Sequence, residues 1–118
     1  MLFRSDGGLA AGAQICQLTP RPTAVVATND LTAIGIIKAL QSSGLDVPKQ
    51  ISVTGFDSTQ LAAYTTPSLT TVDLQRELIG RTAADALQSL FTSPTYMGQE
   101  YPIVPTLWPG ESTGKAAR

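Results

Sequence analysis

Two short apolar runs separated by one helix length constrain this chain more than any other feature. Thr23 to Thr28 and Ile51 to Thr54 are dominated by Ala, Val, Ile and Thr. Asn29-Asp30 follows the first run directly, and Gly55-Phe56-Asp57 follows the second. A continuous apolar run of this length marks a strand covered on both faces, the habit of parallel sheets. Between the two, residues 31–43 carry Leu31, Ala33, Ile34, Ile36, Ile37 and Leu40, a helical pattern that is apolar on more than one side. Asp30 is expected to cap this helix and Gly44 to end it. Strand, helix and strand at this spacing form a βαβ crossover, so the chain reads as α/β.

The remainder attaches to that unit. Asp6 is placed as the cap of a helix running from Gly7 to about Leu18, with Leu9, Ala13 and Cys16 at helical spacing. Gly7, Gly8 and Gly12 weaken it, since a glycine inside a helix costs about 1 kcal/mol relative to alanine. Ser58 to Tyr64 suits a short helix, and Leu69 to Val72 a third strand. Residues 73–91 make the clearest amphipathic helix, with Leu74, Leu78, Ala83, Leu87, Leu90 and Phe91 opposed to Arg76, Glu77, Arg81 and Asp85. Pro102 and Pro105 consign Tyr101 to Trp108 to a sheet edge or a loop. Residues 1–110 read as the structured part, and the small polar stretch 111–118 as a flexible tail.

Candidate chemistry lies where the strands end, because open parallel sheets bind ligands beyond the carboxyl ends of their strands. If the two strands are neighbours, Asn29 and Asp57 face one crevice. An amide beside a carboxylate suits a polyhydroxyl ligand, and Phe3 or Phe56 would supply an apolar wall for it. On pattern alone, turn and capping chemistry accounts for both polar residues more often than ligand binding does.

Several classes of function are disfavoured. There is no histidine, which removes Ser-His-Asp and Cys-His nucleophile systems and the commonest metal ligand. No dinucleotide or P-loop glycine motif is present, so neither an enzyme nor a cofactor or metal site is expected. Cys16 is the one cysteine, which precludes an internal disulfide. A net charge of −1 does not suit direct nucleic-acid binding. No signal peptide or membrane-length apolar run is evident.

The order of short motifs is more specific than any one of them. Pro22 to Asp30, Ala33 with Gly35, Ala39-Leu40, Gly44-Leu45 with Val47-Pro48, Ile51 to Asp57, and Pro67 with Leu69 to Val72 follow one another at set spacings. The series resembles the C-terminal half of the regulatory domain of LacI/GalR transcription regulators, and Gly80 and Glu111-Ser112-Thr113 fit it too. The resemblance implies a periplasmic-binding-protein-like fold of type I, here the C-terminal subdomain with a crossover helix. It implies a sugar-type small-molecule effector bound by Asn29, Asp57 and Phe3. It implies a cytoplasmic homodimer pairing through Leu9, Ile34, Ile37 and Tyr64. The pattern opens past the family's midpoint, so DNA contact is expected only through a helix-turn-helix domain absent from this chain. Helix 73–91 is then expected to fold back on the chain's own sheet or exchange with a second chain. The sequence departs from the family at Gly110, where an arginine is usual. The alternative is part of an exported sugar-binding protein of a transporter, which shares the fold.

Overall fold

The computed structural model describes residues 4–93, 95 and 97–116. Its elements follow in the order α1 (Ser5–Gln17), β1 (Ala24–Val26), α2 (Asp30–Ser42), β2 (Ser52–Thr54), α3 (Gln60–Tyr64), β3 (Thr71–Asp73), α4 (Arg76–Thr92) and β4 (Thr106–Trp108). β1 and β2 pair in parallel, Val25 opposite Val53, as the crossover requires. An isolated parallel bridge between Thr54 and Thr70 links β2 to the residue before β3. β3 and β4 form a second two-stranded sheet, antiparallel, with Val72 opposite Leu107.

The core lies between β2 and α2. Ala33, Ile36, Ile37 and Leu40 from the helix pack with Val47, Ile51, Val53 and Leu69, and Ala62 of α3 joins them. Leu40, Ile51 and Val53 are wholly buried. Double coverage of the strands holds at β2 but not at β1, where Val26 is 84% exposed. Successive strand residues face opposite sides, and the side away from α2 is open at Val26.

The caps differ from expectation by one residue. Asn29, not Asp30, caps α2, its Oδ1 accepting from the Thr32 amide at 2.8 Å. Asp30 is the first helical residue and is buried. Gly44 does end the helix, with φ of +78°. The Leu45 amide donates to the Leu40 carbonyl and the Gly44 amide to that of Gln41, which satisfies two terminal carbonyls. α1 starts ahead of Asp6, with Arg4 at its N-cap position.

The glycines that weaken α1 as an isolated helix are its contact with α2. Gly8 and Gly12 are its buried residues. A Cβ on Gly8 would stand 2.2 Å from the Thr32 carbonyl oxygen, and one on Gly35 would stand 2.2 Å from that of Ser5. α1 thus covers the side of α2 around Thr32, Gly35, Ile36 and Ala39. The second apolar side of α2 therefore has an intramolecular partner along much of its length.

α4 contradicts the expectation that it folds back. None of its residues is buried, and Leu78, Ile79, Leu87, Leu90 and Phe91 stay between 43% and 86% exposed. The radius of gyration is 18.5 Å, against about 13.5 Å for a compact domain of this length. The stretch 111–114 is not a loose tail. Ser112 is fully buried, donates from Oγ to the Val53 carbonyl at 2.6 Å and accepts the Thr70 amide at 2.8 Å. Gly110 passes so close to Ser68 and Leu69 that a Cβ would meet the Leu69 carbonyl carbon at 2.5 Å. A side chain there would have to displace that backbone, and the strand β4 ends two residues earlier.

Candidate effector site at the strand ends

Parallel pairing of β1 and β2 brings Asn29 and Asp57 to the same edge of the sheet. The two strand-end loops are joined directly, since the Asp30 amide donates to the Phe56 carbonyl at 2.9 Å. Asn29 is half-buried and spends its Oδ1 on the helix cap. Phe56, on the adjoining loop, is 38% exposed and remains a candidate apolar wall. Phe3 lies outside the described residues.

Asp57 is the most distinctive residue of the edge. Its φ is 107° and that of Ser58 is 49°. A non-glycine residue in this half of conformational space is strained unless its surroundings impose the geometry. Here the Asp57 amide donates to the Val72 carbonyl at 3.1 Å. Arg76 donates from its guanidinium to the Ser58 carbonyl at 3.1 Å. The half-buried Asp57 carboxylate is engaged by no hydrogen bond or ion pair among the described residues.

Asp73 lines two clefts. One of about 210 Å3 is lined by Ser58, Thr59, Gln60, Ala62, Ala63, Asp73 and Trp108. A larger, open one of about 450 Å3 lies at the start of α4 among Asp73, Gln75, Glu77, Leu78 and Arg81. Neither is lined by Asn29 or Asp57 themselves. Lys49 stands on the loop entering β2, at the other end of that strand, where the hydrogen bond and then the charge of Asp46 hold its ammonium above the usual lysine value. No group of three or more metal-ligating side chains occurs among the described residues. No helix of the described residues is long and apolar enough to cross a membrane.

The expected subunit-contact residues separate on inspection. Tyr64 is 84% exposed and Leu9 36%. Ile34 is half-buried and lines a surface groove of about 220 Å3 with Ile37, Lys38, Gln41, Thr65 and Thr66. Ile37 is only 4% exposed, because its side chain is spent in the core. It supports that groove from below and has little surface to give a partner. The buried polar residue that the sequence reading misassigned is Asp30. Its position one residue after the cap looks like capping chemistry, and only the long-range contacts to Thr59 and Thr71 reveal otherwise.

A family model described as a periplasmic binding protein-like domain matches residues 3–113. The ribose operon repressor of Escherichia coli (strain K12) is 37% identical over 105 residues, which are 89% of this chain and 32% of that protein. A LacI family transcriptional regulator from Enterococcus faecium, solved with bound ribose, superposes with a TM-score of 0.86 at 27% identity over 94% of this chain and 41% of that one. The lac repressor dimer bound to operator and the anti-inducer ONPF gives 0.82 at 30% identity over 93% and 38%. The chain thus spans a quarter to a third of the length of the curated relatives it matches. The parallel sheet, the strand-end loops and these likenesses agree that the chain belongs to the periplasmic-binding-protein-like domain family, its relatives and structural neighbours being LacI-type transcription regulators.

Proposed function

We propose that this chain is the effector-sensing and dimerising part of a LacI-type regulator, and not an enzyme. The observation that carries the reading is Asp57. It offers a carboxylate without a partner among the described residues, on a strained loop, at the carboxyl end of a parallel strand. Asn29 stands on the neighbouring loop, and Phe56 and Phe3 are the aromatic candidates. Such a set suits the hydroxyls of a sugar, with the carboxylate accepting and the amide nitrogen donating. Ribose in a structural neighbour and in the name of a relative supports this class of effector.

Effector binding would shift a two-state equilibrium in the whole regulator. DNA contact on this reading belongs to a helix-turn-helix outside residues 1–118, and the protein works in the cytoplasm as a homodimer. Leu9, Ile34 and Tyr64 are the proposed subunit face, with Ile37 beneath it. The dimeric lac repressor among the neighbours supports the pairing.

The test is titration of the chain with D-ribose and a panel of pentoses, hexoses and disaccharides, followed by backbone NMR. Amide shifts are expected at residues 29 and 55–59. Asp57→Ala should weaken the binding about tenfold to a hundredfold, the usual worth of a hydrogen bond to a charged group. Shifts confined to other parts of the chain, or none with any sugar, would remove the assignment.

A further inference from the structure

Asp30 is a fully buried carboxylate that the proposed function does not use. Burial at this depth is costly for a charge unless its lone pairs are filled. They are filled from loop 55–59 and from β3. Thr59 donates to Oδ2 twice, from its amide at 2.6 Å and from its hydroxyl at 2.9 Å. Thr71 donates its hydroxyl to Oδ1 at 2.5 Å. Helix capping does not explain this arrangement, because Asn29 already caps α2.

The Thr71 hydroxyl has a single proton, and it is committed to the hydrogen bond that Asp30 Oδ1 accepts. Its lone pair accepts the Ser58 amide at 3.2 Å. A relay therefore runs from the Ser58 N–H through the Thr71 hydroxyl to the Asp30 carboxylate. It ends on one of the two adjacent residues, Asp57 and Ser58, that hold positive φ. Gly55 completes the fit, since a Cβ there would stand 2.3 Å from Asp30 Oδ1. Strained backbone persists where the surroundings over-determine it, and these bonds do so from α2 on one side and β3 on the other.

We propose that Asp30 and Thr71 are positioning residues, which hold Asp57 and Ser58 in the positive-φ conformation that presents the Asp57 carboxylate to the effector. The proposal rests on Asp57 being an effector contact. Because Asp30 opens α2 and Thr71 opens β3, the relay also ties the effector loop to the helix of the proposed subunit face and to the strand that leads into α4.

Amide hydrogen exchange in the 118-residue chain tests the relay without a ligand. Thr71→Val keeps the branched shape and removes the hydroxyl. Exchange at Ser58 and Thr59 should rise about tenfold relative to Val53, whose amide is bonded to Ser112. Thr71→Ser should restore protection. An equal rise at every amide, or no rise at Ser58, would overturn the proposal. Thr71→Ala gives a second variant should Thr71→Val fail to fold. Faster exchange at Ser58 with Val53 unchanged supports the relay, and unchanged exchange at Ser58 counts against it. Asp57→Ala separates the two readings, since it should leave loop protection intact while weakening sugar binding about tenfold to a hundredfold. Intact protection with undiminished sugar binding would remove Asp57 from the effector site and leave the relay standing.

Discussion

α2 and α4 are both amphipathic helices of the same chain, yet one is the centre of the core and the other lies outside it. α2 has two faces and a cover for each, β2 with Val53 and Ile51 on one side and the glycines of α1 on the other. α4 is the longer helix, with a coherent apolar stripe, and buries no residue. Amphipathicity therefore tells which face seeks cover, not whether the chain itself supplies it. Among the described residues α4 keeps Leu78, Ile79, Leu87, Leu90 and Phe91 exposed.

The largest expected effect sharpens that contrast. Leu40→Ala should destabilise the chain by about 2–5 kcal/mol, the cost of a cavity in a close-packed core. Leu87→Ala, at 56% exposure, should change stability by less than about 0.5 kcal/mol. Equal losses in chemical denaturation would mean that α4 is packed in solution and would break the comparison. Next comes the α1–α2 contact. Gly35→Ala must push α1 away from α2 and should cost about 1–3 kcal/mol, as overpacking does. A melt unchanged by Gly35→Ala would show that the two helices do not pack closely. The smallest effect lies on the exposed side of α4. The Glu77–Arg81 pair, 2.6 Å long and more than 70% exposed on both sides, has the favourable i, i+4 order. Arg81→Ala should cost about 0.3 kcal/mol, read as a slight loss of helicity. A loss above 1 kcal/mol would give Arg81 a second role.

The same contrast explains how much of the molecule could be read from residues alone. The βαβ unit was legible because its apolar runs, its turn glycine and its helix period are local signals that agree with one another. The edge that carries Asn29 and Asp57 followed from the same unit, since parallel strands share one carboxyl end. Three things were not legible. The glycines of α1 carry a helix-breaking propensity, and their value as a contact appears only when α2 lies against them. Asp30 looks like a cap because capping is local, whereas Thr59 and Thr71, which bind it, are 29 and 41 residues away. Ser112 lies in a polar, small-residue stretch that resembles a tail, and its partners Val53 and Thr70 are 59 and 42 residues away.

The sequence by itself determined the α/β class, the crossover, the buried faces of α2 and β2, and the strand ends where chemistry belongs. Each of these depends on the period of apolar residues and on the conformational preferences of residues next to one another. Tertiary structure decided which faces are covered, that the Asp30 carboxylate is buried and hydrogen-bonded, and how closely two helices approach. Those outcomes depend on burial and on hydrogen bonds between residues far apart in the chain, where desolvation makes a partner obligatory.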